Sequence, residues 1–132
     1  MIIDQILLDN LSAQAKANPR LRQNYDLRTS PTDNSQRMLN ALEPGTVMPI
    51  HRHMLSSESI AIIRGKIIVR LYDDNGNITN EFTMKPCGEY PMIHLELGQW
   101  HSLEVLEEGT VVFEAKDGKC EPLKEEEILR NW

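Results

Sequence analysis

The sequence predicts a mostly β fold in which short antiparallel strands form a barrel or a two-sheet jelly roll. Between residues 36 and 115, apolar and β-branched segments alternate with turns that contain Gly, Pro or Asn. The strongest turn signal is Asn75-Gly76, because this dipeptide readily adopts the positive φ angles of a tight hairpin. A chain of 132 residues is long enough to bury a core, so we expect a single domain over residues 1–132.

Eight segments are strand candidates, since each is apolar or alternating and is bounded by turn-forming residues. They are Gln36–Leu42, Val47–Ile50, Ser59–Arg64, Lys66–Tyr72, Ile78–Met84, Tyr90–Leu95, Trp100–Leu106 and Val111–Ala115. This number of short strands favours an antiparallel barrel over about residues 36–115, with a C-terminal extension over residues 116–132.

Helical segments are expected on both sides of the strands. Apolar residues recur at helical spacing from Ile3 to Ala15, which predicts an amphipathic helix over residues 3–17. Pro19 ends it, because the residue before a proline is pushed away from helical backbone angles. The polar segment up to residue 35 is interpreted as a loop with short extended pieces. A short C-terminal helix is predicted at Leu123–Leu129.

The composition excludes several classes of protein. The formal net charge is −6, whereas a general nucleic-acid binder needs an excess of Lys and Arg, so no nucleic-acid partner is expected. No apolar run approaches the ~20 residues of a membrane span, and the first residues lack the basic segment of a signal peptide. We therefore expect a cytoplasmic protein with no membrane partner. Cys87 and Cys120 are expected to be reduced, although their number also permits one disulfide.

Three of the four histidines, together with one glutamate, form a pattern that is typical of a metal site. His51 and His53 are two residues apart on an extended segment, so both point to one face. Glu58 lies next to the following strand candidate, and His101 comes from a distant one. Imidazole and carboxylate ligands suit Fe, Mn, Zn, Ni or Cu. We predict one divalent transition metal held by His51, His53, Glu58 and His101; the alternative is that they are ordinary packed or surface residues.

The spacing of these residues resembles the first motif of the cupin family, G-x5-H-x-H-x3-4-E-x6-G. The residues that match it are Gly45, His51, His53, Glu58 and Gly65. The second motif, G-x5-P-x-G-x2-H-x3-N, is partly present as Gly98-Gln99-Trp100-His101, but its proline is missing and residue 105 is Val. The resemblance implies a β-barrel with a bound metal, and a homodimer formed through sheet edges.

Further features resemble the WbuC-type cupin metalloproteins over nearly the whole chain. They are the N-terminal helix, the Arg- and Asn-rich segment after it, Gln36-Arg37-Met38-Leu39 and Pro49-Ile50-His51-Arg52-His53. That group is found beside bacterial surface-polysaccharide genes, and it implies no particular reaction. The expectation is metal-dependent isomerase, lyase or dioxygenase-type chemistry on a small anionic or sugar-like molecule. The alternatives are a non-catalytic protein that binds a metal and a small ligand, and a metal with a purely structural role.

The arginines before the predicted barrel are candidate ligand contacts. Residues 19–37 contain Arg20, Arg22, Arg28 and Arg37. Guanidinium groups bind carboxylates and phosphates, so an anionic ligand is expected, with Arg37 and Arg22 as its preferred contacts. Tyr25 and His94 are further candidates for ligand binding. The alternatives are ion pairs between these arginines and the acidic C-terminal stretch, and ordinary packing for Tyr25 and His94.

Overall fold

The structure, a computed structural model, describes residues 1–118 and 122–129. In this part of the chain, helix α1 (Gln5–Ala17) is followed by eight strands and a 3₁₀-helix, Glu125–Glu127. The strands are β1 (Arg22–Asp26), β2 (Ser35–Leu42), β3 (Glu58–Arg64), β4 (Ile67–Tyr72), β5 (Ile78–Met84), β6 (Met92–Leu95), β7 (Trp100–Val105) and β8 (Thr110–Asp117). None of the helices in the described ranges has the length and apolar character needed to cross a bilayer.

The strands form two antiparallel sheets. The larger sheet has the strand order β1-β2-β8-β3-β6, and the smaller has the order β5-β4-β7. This confirms the predicted mostly β, antiparallel class. Within the described residues the two sheets do not join into a closed barrel, so of the two predicted arrangements the two-sheet one describes the fold.

Alternation along the strands separates two apolar clusters. Between the sheets, Leu42 of β2 packs with residues such as Ile60 of β3 and Val69 of β4. On the other face of the larger sheet, Leu39 and Ala41 of β2 pack against α1. Since successive residues of a strand point to opposite faces, β2 directs its even-numbered residues between the sheets and its odd-numbered residues towards the helix side.

Helix α1 confirms the predicted N-terminal helix over a slightly shorter range. It starts after Asp4, whose carboxylate accepts a hydrogen bond from the backbone N–H of Leu7 at 2.9 Å. This satisfies one of the backbone donors that a helix leaves free at its N-terminus. The helix ends at Ala17, with Asn18 in an extended conformation before Pro19, as the sequence predicted.

Two local predictions differ from the structure, and a third is made more specific. Val47–Ile50 is not a strand. Arg22–Asp26, within the polar segment for which short extended pieces were predicted, is an edge strand paired with β2. The predicted C-terminal helix Leu123–Leu129 contains only the 3₁₀-helix, because the backbone beyond it pairs with the segment around His51 instead of with itself. Cys87 is an exposed free thiol, and Cys120 lies outside the described residues.

Candidate metal centre

The polar end of the space between the sheets brings three histidines together. One ring nitrogen from each of His51, His53 and His101 lies within 4.8 Å of the other two. His101 belongs to β7, and His51 pairs with it as an antiparallel bridge in which the two backbones exchange hydrogen bonds of 3.0 and 2.9 Å. Such a pair holds two side chains side by side on one face. The ring centroids of His51 and His101 are accordingly 4.2 Å apart.

Backbone carbonyl groups orient two of the rings. Nδ1 of His51 lies 2.9 Å from the carbonyl oxygen of Pro49, and Nδ1 of His101 lies 2.9 Å from that of Gln99. A carbonyl oxygen only accepts, so each Nδ1 carries the proton and donates it. Nε2 of each neutral ring then keeps its lone pair, which is the arrangement found in most histidines that bind metals.

Glu58 lies at the start of β3, beside these rings, and is buried. Its Oε2 is 3.2 Å from Nε2 of His53 and 4.0 Å from Nε2 of His101. Burial acts to raise the pKa of Glu58, but the hydrogen bond from His53, together with the electrostatic interactions of the neighbouring histidine rings, outweighs it, so the pKa is lowered. The carboxylate is therefore ionised and adjacent to two imidazoles.

The protonation states also suit a metal. Burial lowers the pKa of His51 to about 4, and the charge of His101 acts in the same direction. Burial likewise lowers the pKa of His101, although its contact with Gln99 and the charge of Glu58 oppose this. Neutral imidazoles, here those of His51 and His101, and an ionised carboxylate are the forms that bind divalent metals, so these donors fit the predicted ion.

A cavity of about 200 Å³ opens beside the cluster. His51, His53, Glu58 and His101 all line it. The rest of its polar lining consists of Arg22, Gln36, Asn40, Glu114 and Lys116. Drug-sized ligands usually occupy about 300–1,000 Å³, so this inner space suits a smaller molecule.

A second cavity, of about 380 Å³, adjoins the first and shares His53, Lys116 and Leu123 with it. One side of it is formed by residues of the C-terminal segment, among them Lys124 and Glu127. The backbone of this segment is held by the hydrogen bond from Arg52 N–H to the Glu127 carbonyl, at 2.9 Å. The C-terminal segment therefore forms part of the approach to the inner cavity.

The structure places the four residues predicted to contact a ligand in different positions. Arg22 lines the inner cavity. Tyr25 packs with the apolar cluster under α1, and Arg37 forms an ion pair with Asp33 at 3.2 Å. His94 is exposed and hydrogen-bonded to Ser59 at 2.8 Å. Tyr25, Arg37 and His94 thus lie on the outer face of the larger sheet, and a role for them in ligand binding stays a prediction.

Four polar residues of the cavity were missed by sequence reasoning, namely Gln36, Asn40, Glu114 and Lys116. All four lie on β2 or β8, at positions that face the space between the sheets. They could have been recognised by their spacing within largely apolar strands. Gln36 and Asn40 are four positions apart on β2, and Glu114 and Lys116 are two apart on β8, so each pair lies on one face of its strand. Register then places Gln36 directly opposite Lys116.

Glu114 is the acid of this lining whose pKa is raised. Burial, followed by the charge of Glu58, raises the pKa of Glu114 to about 7, against the hydrogen bond from Asn40 and the charge of Lys116. In the unfolded chain the same group ionises near 4.5. The unfolded state therefore loses its proton first as the pH rises, and ionisation of Glu114 reduces stability between about pH 4.5 and 7.

Glu114→Gln should remove the loss of stability that ionisation of Glu114 causes. Since one pKa unit corresponds to about 1.4 kcal/mol, we expect the free energy of unfolding of the chelated protein to rise by up to about 3 kcal/mol at pH 8 and to change little at pH 4. Urea denaturation at the two pH values measures both quantities. An equal effect of the substitution at pH 4 and pH 8 would exclude ionisation as its cause.

Solved structures with the cupin fold resemble this one. They include KdgF from a Halomonas species (14% identity, TM-score 0.62, covering 78% of this chain and 84% of that chain). The capsular polysaccharide assembling protein CapF from Staphylococcus aureus shares 20% identity with a TM-score of 0.61, over 80% of this chain and 30% of that chain. The Cnp3 cupin domain of Schizosaccharomyces pombe shares 15% identity with a TM-score of 0.58, over 74% and 65%. At these identities the likeness establishes the cupin fold.

Sequence comparison is more limited. No curated protein matches the chain. Residues 3–84 match a family described as a domain of unknown function, DUF6016. This range covers more than half of the chain and includes α1, His51, His53 and Glu58. The chain therefore belongs to the DUF6016 family and has the cupin fold.

Proposed function

We propose that this protein is a metal-binding cupin that takes a small anionic or sugar-like molecule into the cavity beside its histidine cluster. The observation that carries the proposal is the convergence of His51, His53 and His101, whose ring nitrogens lie within 4.8 Å of one another. Glu58 would supply the fourth ligand. A divalent metal bound there would act as a Lewis acid toward an oxygen atom of the ligand.

The cavity contains two cationic side chains and two carboxyl groups, Glu58 and Glu114. A divalent metal would add two positive charges to this set, so the lining with its metal supports an anionic ligand. Arg22 and Lys116 line the inner cavity, and Lys116 also lines the adjoining one. A guanidinium group pairs well with a carboxylate or phosphate, and an ammonium group attracts either of them as a point charge. In the proposed arrangement Arg22 and Lys116 hold the acidic group of the ligand, while the histidine cluster faces its oxygen atoms.

We further propose that the protein acts in surface-polysaccharide metabolism and belongs to the WbuC-type group. Both proposals are supported by the sequence resemblance described above, and by the likeness to CapF, which is described as a capsular polysaccharide assembling protein. This chain spans only 30% of the length of CapF. A shared activity of this chain and CapF is therefore only a proposal.

Metal content after purification and dialysis tests the metal site. We expect about one divalent metal per wild-type chain. His101→Ala and Glu58→Ala should each lower the metal affinity by more than a hundredfold, because each removes a direct ligand, whereas changes beside the ligands already cost 10–100-fold. Inductively coupled plasma mass spectrometry on the purified chains measures the content.

His94→Ala is the matched control, because His94 is exposed and lies on the outer face of the larger sheet. It should retain the wild-type metal content. Unchanged metal content in His101→Ala, or equal loss in His94→Ala, would contradict the proposed site. Turnover of a bound sugar or carboxylate by the loaded protein would then separate an enzyme from a non-catalytic binding protein.

A further inference from the structure

Two buried oxygens in the inner cavity lack a hydrogen-bond partner among the described residues. They are Oε1 of Gln36 and Oδ1 of Asn40. Gln36 is 4% exposed and Asn40 is 7% exposed, so both side chains are more than nine-tenths buried. Buried polar atoms without a partner are rare in folded proteins because they reduce stability. Two unpartnered oxygens on one wall of the same cavity therefore indicate that a ligand binds there.

Their position relates them to the histidine cluster. Gln36 and Asn40 lie on β2 of the larger sheet, and both line the cavity that contains His51, His53 and His101. His101 belongs to β7 of the smaller sheet. The two amides and His101 thus belong to opposite sheets and border the same space.

The chemistry of the amides defines the group they can bind. An amide oxygen only accepts hydrogen bonds, so its partner must be an O–H or N–H group. Asn40 lowers the pKa of Glu114 as a hydrogen-bond donor, so its NH₂ group faces Glu114. Its oxygen has no partner among the described residues. Arg22, Lys116 and the proposed divalent metal together outweigh the two carboxyl groups of the same cavity and disfavour a cationic donor. A hydroxyl group meets both conditions.

We propose that Gln36 and Asn40 form a subsite that accepts hydrogen bonds from ligand hydroxyl groups, and that the cavity thereby selects polyhydroxylated acids over aliphatic acids of equal length. This inference rests on the proposed function, since it places the ligand in the same cavity. A site built to bind a hydroxyl group rejects an analogue without it, because its own buried polar atoms then remain unpaired.

Calorimetric titration of the full-length, metal-loaded chain with two six-carbon acids tests the subsite. We expect D-gluconate to bind at least tenfold more tightly than hexanoate. Gln36→Met and Asn40→Leu, which keep side-chain size, should each lower gluconate affinity at least tenfold and leave hexanoate affinity and metal content unchanged. Because the hydroxyl groups of gluconate can also reach a metal, the two variants carry more weight than the wild-type preference.

Asn24→Leu is the matched control. Asn24 is an exposed residue of β1 that pairs directly with Asn40, and it should keep the wild-type gluconate affinity. The melting temperature of the ligand-free protein provides a second readout. Gln36→Met should leave it unchanged or raise it, since this substitution removes an unpartnered buried oxygen, whereas a structural role of Gln36 would lower it.

The possible failures are distinguishable. A wild-type chain that binds no metal contradicts the proposed metal site. By contrast, metal-loaded protein that does not bind gluconate, or binds it equally well in both variants, overturns the hydroxyl subsite. A lower melting temperature in Gln36→Met also overturns it, because the Gln36 amide would then be partnered within the protein itself.

Discussion

Gly65→Ala should lower the free energy of unfolding by about 2–5 kcal/mol, a large part of the 5–15 kcal/mol typical of a folded protein. Gly65 lies between β3 and β4, where the chain passes from the larger sheet to the smaller one, and its φ angle is +87°. A side chain at positive φ costs about 1–2 kcal/mol. A Cβ at this position would also lie 2.6 Å from the Thr110 Cα, and overpacking of this kind costs about 1–3 kcal/mol.

Thr110 cannot easily move to make room. It is fully buried, its hydroxyl donates to the Glu107 carbonyl at 2.7 Å, and the same oxygen accepts from the backbone of Lys66 at 3.2 Å. The Cβ would therefore meet a residue that is fixed by its own hydrogen bonds. This explains in physical terms why a glycine stands at the last position of the first cupin motif.

Gly118→Ala separates the cost of a positive φ angle from the cost of the contact with Thr110. Gly118 has a φ angle of +96°, but nothing lies within 4 Å of a Cβ built on it. It should therefore lose only the 1–2 kcal/mol that positive φ costs. Urea denaturation of the three proteins measures the difference. Equal losses in Gly65→Ala and Gly118→Ala would show that contact with Thr110 contributes nothing.

The strand prediction succeeded where apolar pattern and turn chemistry agreed. β5 has its predicted bounds, Ile78–Met84, and it follows a turn in which the Asp73 carboxylate accepts from the backbones of Asn75 and Asn77 at 2.9 Å each. Gly76 supplies the positive φ angle, +82°. Such local features are written in the sequence itself, so they can be recognised without knowledge of the partner strands.

Segments that depend on a distant partner were predicted poorly. The sequence of β1, Arg-Gln-Asn-Tyr-Asp, has no apolar alternation, and it is extended because it pairs with the edge of β2. The C-terminal segment contains glutamates that favour a helix, but Leu129 donates to the Ile50 carbonyl at 2.9 Å and Ile128 bridges to His51. In both cases tertiary pairing outweighs local propensity.

The grouping of the predicted metal ligands could be inferred from the sequence, whereas the opposite wall of the cavity could not. His51, His53 and Glu58 lie close together in the chain, so their spacing alone suggested a shared site. The opposite wall depends on the register between β2 and β8, in which Gln36 faces Lys116, and no motif marks it.

The sequence also did not indicate which face of β2 points into the space between the sheets. Leu39 on one face and Leu42 on the other are both buried, because α1 covers the outer face of the sheet. A strand that is buried on both sides lacks a clear alternation of apolar and polar residues. The sequence therefore could not distinguish Arg37, on the helix side, from Gln36, its inward-facing neighbour.

Removal of the metal should lower the melting temperature by about 10 °C without unfolding the protein. A ligand that binds only the folded state stabilises it by about 2.7 kcal/mol at a free concentration one hundred times its Kd. For a chain of this size, 1 kcal/mol corresponds to roughly 4 °C. Thermal melts of the loaded and the chelated protein, followed by circular dichroism, measure the difference.

Two features of the structure lead us to expect that the chelated protein stays folded. The cluster between the sheets includes Ile67, Val69 and Met84, which are fully buried at positions distinct from the predicted ligands. In addition, Glu58 has a partner within the protein, since His53 lies 3.2 Å from its carboxylate. The site therefore does not leave an isolated buried charge when the metal is absent, which would be far more costly.

The ligand variants connect this stability difference to the site. His101→Ala should melt at the same temperature with and without added metal, whereas His94→Ala should show the full wild-type difference, because His94 lies outside the cluster. A difference that persists in His101→Ala would mean that the metal binds elsewhere. Complete unfolding of the wild-type chain on chelation would mean that the apolar cluster cannot hold the sheets together alone, and it would favour a structural role for the metal over a role in ligand binding.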